Sequence, residues 1–251
     1  MKAIPPSPKA KPSGFTLTEL AVIIAIFSVL GALLLCSAFR NSRQVKRVQC
    51  ASNLQQFTLA MHILAHENDD KFPTNSVGFW AWDTVWSVGT FVETTSSKWT
   101  VMYCPGTSPR FSEAMNSQLY NYAPPNLRVL GYANTLPGSF GVQATNHNPT
   151  LLPPLAQVAP FAFSRQLPAD RVLLADATIS DAGQNNGTLR NTYNYTQIVG
   201  GFSGAAHLSP HLSGRLPAGG NMGMLDGHVE WRRFADMHPR SPAPNTPTFW
   251  W

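Results

Sequence analysis

An apolar run from Leu20 to Leu35, followed by a helical stripe, dominates the first quarter of the chain. With its flanks the apolar stretch reaches from Leu17 to Phe39, roughly 20 residues, the length a helix needs to cross a bilayer. No proline falls between Phe15 and Phe72. Beyond the run, Val45, Val48, Ala51, Leu54, Phe57, Met61 and Leu64 recur at steps of three or four. Arg47, Gln49, Asn53, Gln55 and Gln56 lie between them and would face water. The pattern predicts one helix from Phe15 to about His66, its first half in lipid and its second half packed on a domain. Asn68-Asp69-Asp70 and Pro73 stop it.

The remaining pattern is less regular. From Thr74 to Met102, Trp80, Trp82, Trp86, Phe91 and Trp99 stand among Val and Thr, which reads as mixed strand and loop. Gly106 to Pro168 is rich in Pro, Asn, Gly and Tyr and reads as irregular with short strands. Arg171 to Asp176 reads as a buried strand ending in an acid, and Asp181 to Asn194 as a polar loop. After Gly219-Gly220-Asn221, the segment Met222 to Trp231 is the clearest hairpin, turning at Asp226-Gly227. The tail from His238, with four prolines, lies along the surface or docks by Trp250 and Trp251. The predicted fold is α+β: a long N-terminal helix, transmembrane in its first half, packed on an antiparallel sheet. Four segments follow: a leader at 1–14, a transmembrane half at 15–39, an amphipathic half at 40–70 and an extracytoplasmic domain at 71–251.

Composition changes this picture little. Hydrophobic residues make up 43% of the 251, enough for a core, and only 12% are charged. The net charge of +5 falls to +2 (5 minus 3) without Lys2, Lys9 and Lys11 of the leader, which holds no acid. Downstream, Arg40, Arg43, Lys46 and Arg47 form a basic cluster suited to lipid headgroups, and no strip suited to nucleic acid is evident. Of three cysteines, Cys36 sits inside the apolar run as a small hydrophobe. Cys50 and Cys104 lie beyond it and would form one disulfide on an oxidising side, or remain two unpaired buried thiols.

A basic leader before an apolar run also describes an ordinary export signal. Cys36-Ser37-Ala38 makes a poor signal-peptidase site, and Leu33-Leu34-Leu35 before Cys36 lacks the small residue of a lipoprotein signal. Neither explains Glu19, a carboxylate just inside the run and costly there unless compensated. Gly14-Phe15-Thr16-Leu17-Thr18-Glu19-Leu20 resembles the type III signal of type IV pilins and type II secretion pseudopilins. The resemblance implies cleavage by a prepilin peptidase between Gly14 and Phe15 and methylation of Phe15 as the new N-terminus. It further implies that Glu19 pairs with the N-terminal amine of a neighbouring subunit during assembly. Physics supports the pairing, because opposite charges in a low-dielectric layer attract strongly and each is costly alone. The bland alternative has Glu19 snorkelling to the headgroups.

A second resemblance joins Cys50-Ala51-Ser52-Asn53-Leu54-Gln55-Gln56 to the C-terminal block His207 or His211, Gly219-Gly220-Asn221 and Leu225 to Trp231. Together they are similar to pilin-like proteins of planctomycete and verrucomicrobial bacteria. In those proteins nine residues separate a histidine from Asp-Gly, whereas fourteen separate His211 from Asp226 here.

Catalytic signals are weak. His207, His211, His228, Asp176 and Asp226 could gather at one sheet end, and His62 and His66 are spaced i, i+4. The expectation is nevertheless that no metal or cofactor is bound, with Asp226 a turn residue and the histidines closing hydrogen bonds around it. Calcium would want six to eight oxygens, and no compact D-x-D-x-D loop exists. Ser203 in Gly201-Phe202-Ser203-Gly204 lacks a nucleophile elbow, and Gly219-Gly220 lacks the Gly-Lys-Ser of a phosphate loop. The chain reads as no enzyme but as a structural subunit of a pilus-like fibre or secretion pseudopilus, inserted once in the inner membrane with its C-terminal domain periplasmic. Its partners are the prepilin peptidase, other pilin or pseudopilin subunits and the inner-membrane assembly machinery. The rival is a membrane-tethered adhesin or carbohydrate-binding module using exposed tryptophans.

Overall fold

The computed structural model describes residues 16–153, 155–159, 162–199, 206–241 and 246–251, with side chains left undescribed at 32–41, 156–159 and 162–164. Helix α1 (Leu17–His66) spans 50 residues, as the proline-free stretch predicts. It ends where Asp69 and Asp70 take left-handed backbone (φ 54° and 59°) and Asn68 Nδ2 donates to the Leu64 carbonyl at 2.6 Å. The chain divides into two compact units, residues 1–42 and 43–251. In the first, the described apolar side chains of residues 17–30 are exposed. The membrane-crossing half expected at 15–39 is not recovered: among the described residues no helix is long and apolar enough to cross a membrane. The described side chains stop at Gly31, so the described apolar stretch is shorter than the run in the sequence.

In the second unit, the strands follow in chain order. β1 (Asp83–Val85) pairs with β2 (Leu127–Val129). β3 (Tyr132–Asn134) joins the main sheet, and β4 (Leu155–Ala159) pairs with β5 (Ala162–Arg165). β6 (Val172–Asp176) and β7 (Thr178–Ser180) follow each other closely, and β8 (Leu212–Ser213) pairs with β9 (Leu216–Pro217). β10 (Gly219–Met224) and β11 (Val229–Arg233) form the expected hairpin, turning at Gly227 with φ 95°. β12 (Thr248–Trp250) pairs with β7, so the tail docks: Trp250 and Trp251 are fully buried. The main sheet is antiparallel in the order β11-β10-β6-β3. Every residue of β6 and of β10 is buried, as expected of strands covered on both faces.

Within residues 43–66, α1 packs on this sheet through Cys50, Leu54, Phe57, Thr58, Met61 and Ala65, all buried. The stripe therefore begins at Cys50, not Val45: Val45 and Val48 are exposed. Two of the four basic residues assigned to lipid headgroups dock on their own unit. Lys46 Nζ donates to the Ser108 carbonyl at 2.9 Å, and the Arg47 guanidinium lies 3.8 Å over the Trp231 ring. Helix and sheet approach closely at Gly223, where a Cβ would overlap the Thr58 hydroxyl and touch Leu54.

The aromatic stretch differs from expectation. Instead of strand and loop it forms α2 (Trp86–Ser96) after the short β1. Its Val and Thr content masks the helix, which is stabilised by burial of Val88, Gly89 and Val92. A second unexpected helix, α3 (Glu113–Tyr120), is capped by Ser112, whose hydroxyl accepts from the Met115 N–H. Arg128 of β2 ties these helices together. Its guanidinium sits between the Trp86 and Tyr120 rings at 3.5 and 3.6 Å and donates to the Tyr120 carbonyl at 3.0 Å. All seven tryptophans are buried or half-buried.

Asp83 is buried without an ion-pair partner among the described residues, its Oδ2 accepting from the Phe79 and Trp80 N–H groups at 2.8 and 3.0 Å. Burial pushes its carboxyl up to about 6, the two backbone donors opposing.

Gly223→Ala should destabilise the fold by about 1–3 kcal/mol through overpacking. Thr58→Ala in the same chain should recover part of that loss in chemical denaturation, because the overlapping atom is the hydroxyl. For Asp83, the folded state holds the proton more tightly than the unfolded chain does. Its contribution is therefore full below the unfolded value and lost as pH rises through about 6. Asp83→Asn, which keeps the acceptor oxygen, should remove on the order of 2–3 kcal/mol of pH-dependent stability across that window.

Candidate functional site

Two constellations carry chemistry, one at the start of α1 and one in the buried core. At the helix start, the Thr16 N–H and hydroxyl both donate to Glu19 Oε2, at 2.8 and 2.7 Å, and the Glu19 N–H returns a bond to Thr16 Oγ1 at 3.3 Å. This is a reciprocal capping box, which satisfies donors that the first helical turn leaves without partners. Thr16-Leu17-Thr18-Glu19 spells its signature, a reading that attention to Glu19 as an assembly residue passed over. Glu19 is exposed and both bonds fall on one of its two oxygens. Gly14, Phe15 and Ser203 lie outside the described residues, as does the Cys36 side chain.

The second constellation gathers Cys50 of α1, Cys104 at the head of the 3-10 turn Pro105–Thr107, Asp176 at the end of β6, and His211 just before β8. One ligand atom from each lies within 4.8 Å of every other. Cys50 Sγ donates to Asp176 Oδ1 at 3.0 Å, and the Asn221 N–H donates to Oδ2 at 2.7 Å. His211 Nε2 stands 3.3 Å from Asp176 Oδ2 and 3.2 Å from Cys104 Sγ. Cys104 Sγ accepts from the Gly106 N–H at 3.3 Å, and the Tyr132 hydroxyl is 3.4 Å from Cys50 Sγ. Asp176 is fully buried, and the His211 side chain is 5% exposed, so little water competes.

The backbone is bent to aim the histidine. His211 has φ 51°, in the left-handed region that side chains with a Cβ seldom adopt. Its carbonyl accepts from the Ala218 N–H at 3.0 Å, which fixes the turn. Burial alone would raise the Asp176 carboxyl. The charge and hydrogen bond of His211, with the Asn221 N–H and Cys50, outweigh that and hold it below its ordinary value. Burial likewise opposes a charged imidazole, but Asp176 carries His211 up to about 10. Burial pushes the Cys104 thiol well up. As a protein-only cluster it is a carboxylate–imidazolium pair flanked by thiols.

The expected Cys50–Cys104 bridge is not formed, although the two residues do meet: both are free and buried, and their sulfurs turn to Asp176 and His211. Of the five residues considered for a metal, Asp176 and His211 join the core cluster, while His228 and Asp226 pair with each other elsewhere. His228 Nδ1 bonds Asp226 Oδ1 at 2.6 Å inside the hairpin turn, as the turn-residue reading expects. His207 instead lies among aromatic rings, 4.7 Å from Trp82 and stacked 5.4 Å from Phe111. Beside it, Trp82, Tyr103 and Phe111 bound a cavity of about 30 Å³, room for one water. His66 pairs with Asp70 at 2.8 Å rather than with His62.

Residues 9–35 match the family model of the prokaryotic N-terminal methylation motif. The chain carries a prepilin-type N-terminus. That match spans Gly14, Phe15 and Glu19 and supports a type IV pilin- or pseudopilin-like protein. No curated protein and no solved structure matches the chain. The prepilin motif covers the capping box but not the Cys/His/Asp cluster, which lies wholly outside it.

Thr16→Ala should cost about 1 kcal/mol of local helix stability. Hydrogen exchange should then quicken at the amides of residues 17–20 while those of β6 and β10 stay unchanged.

Proposed function

We propose that this protein is a structural, non-enzymatic subunit of a type IV pilus-like fibre or type II secretion pseudopilus. The observation that carries the reading is the methylation motif over residues 9–35, which includes an exposed glutamate with one oxygen outside the capping box. A prepilin peptidase removes residues 1–14 and methylates Phe15. The apolar segment anchors the processed chain in the inner membrane, with the domain of residues 43–251 on the periplasmic side. Glu19 Oε1 then accepts from the Phe15 amine of an adjacent subunit. In a low-dielectric layer that pairing fixes the axial stagger, as a single buried polar residue fixes register in a coiled coil. The assembly partners are further pilin-like subunits and the inner-membrane machinery.

A tethered sugar-binding module is less well supported. That reading relies on exposed tryptophans stacking on sugar rings, and all seven are buried or half-buried.

Mass spectrometry of the native chain should find it beginning at N-methylated Phe15, and Gly14→Ala should leave the leader attached. Retention of Met1 to Gly14 in the wild-type protein would sink the reading. Glu19→Gln separates the two roles of this residue, since glutamine also closes a capping box. That variant should be processed normally yet fail to assemble, lowering recovered polymer by at least about tenfold, as expected when one charge of a desolvated pair is removed.

A further inference from the structure

We propose that Cys50, Cys104, Asp176 and His211 form a closed, tetrahedral Zn²⁺ site that staples α1 to the sheet. The donor set argues for this ion. Two thiol sulfurs exclude calcium and magnesium, which want oxygen, whereas sulfur, imidazole nitrogen and carboxylate together suit zinc. Spacing agrees. In a tetrahedral zinc site, neighbouring ligand atoms lie about 3.3–3.8 Å apart, from metal–ligand bonds of about 2.0–2.3 Å. Here His211 Nε2 lies 3.2 Å from Cys104 Sγ and 3.3 Å from Asp176 Oδ2, Cys50 Sγ lies 3.0 Å from the other carboxylate oxygen, and one ligand atom from each residue falls within 4.8 Å of the rest. Adjustments of a few tenths of an ångström to about an ångström around a common centre complete the geometry.

Orientation supports it further. His211 presents the same nitrogen, Nε2, to a sulfur and to a carboxylate oxygen, although one N–H cannot point fully at both. A cation at the centre resolves that conflict. Binding displaces the two thiol protons and the Nε2 proton, leaving two thiolates, one carboxylate and a neutral imidazole around a dication, net −1. Donors already address two of the charge-bearing atoms, the Gly106 N–H at Cys104 Sγ and the Asn221 N–H at Asp176 Oδ2, and the Tyr132 hydroxyl stands 3.4 Å from Cys50 Sγ, where it would donate to a thiolate. With the cluster sealed from solvent, no coordination position is open to a substrate, so the site is structural. A disulfide between the sulfurs competes for the same place. Both events remove the Cys50 proton from Asp176 Oδ1, but only the metal replaces it with a cation that the carboxylate can face in a dry interior.

The full-length chain, purified without chelators or metal-affinity resin, is assayed for metal by elemental mass spectrometry and titrated with Co²⁺. One zinc per chain is expected. Co²⁺ should give sulfur-to-metal charge-transfer bands and the intense visible bands of a tetrahedral thiolate site, displaced by one equivalent of Zn²⁺. Cys104→Ser and His211→Ala should lose those bands, and Cys36→Ser should keep them. Tyr132→Phe should weaken zinc about tenfold. Should the ligand variants fail to fold, the wild-type chain decides: chelation should remove one zinc and lower the thermal midpoint, one equivalent of Zn²⁺ should restore both, and a midpoint that neither treatment moves overturns the proposal. Absence of zinc after incubation with Zn²⁺, with both thiols free, overturns the proposal. So does an unreduced chain lighter by two hydrogens with Cys50 and Cys104 linked. Neither result bears on processing at Gly14, so the pilin-like reading stands or falls separately.

Discussion

A carboxylate sealed from water tolerates no gap in its bonding, and Asp176 sits where helix, sheet and loop converge. It ends β6, takes the Asn221 N–H from β10, faces Cys50 of α1 and holds His211 from the loop before β8. Each of those elements is placed by its own packing, and at this point all four meet. Leaving out His211 would strand a charge in a low-dielectric interior, which costs far more than a surface ion pair returns, and leaving out either neutral donor would leave a buried oxygen short of a bond. The tight approach at Gly223 and the left-handed His211 backbone are concessions to that junction: both bring groups nearer than ordinary side chains or backbone would allow.

Local pattern carried much of the architecture. The proline-free stretch predicts α1, Asn68-Asp69-Asp70 its end, and Asp226-Gly227 the β10–β11 turn, because each depends on residues close in sequence. α2 was illegible because its Val and Thr residues favour strands, and only burial against the rest of the unit makes it a helix. Val45 and Val48 continue the period of the stripe but lie beyond the contact face, so periodicity alone overextended it.

The core cluster shows a different gap. Cys50 and Asp176 are 126 residues apart, and Cys104 and His211 are 107 apart, so no spacing rule links them. Pairing the cysteines brings two of the residues together, but a bridge accounts for sulfur and not for the carboxylate and imidazole that face those sulfurs here. At the other end of the chain, Glu19 was legible as a costly charge, while its bond to Thr16 was spelled in the same four residues. The capping box leaves room for the proposed assembly role, because a carboxylate has two oxygens and Thr16 takes one.

Arg128 constrains the chain at a distance. Its stem passes so close to Gly89 that any Cβ there would collide with it, while its guanidinium fills the slot between Trp86 and Tyr120. A larger residue at position 89 would therefore force the arginine stem to shift or shorten, and any such shift reopens the slot between the two rings.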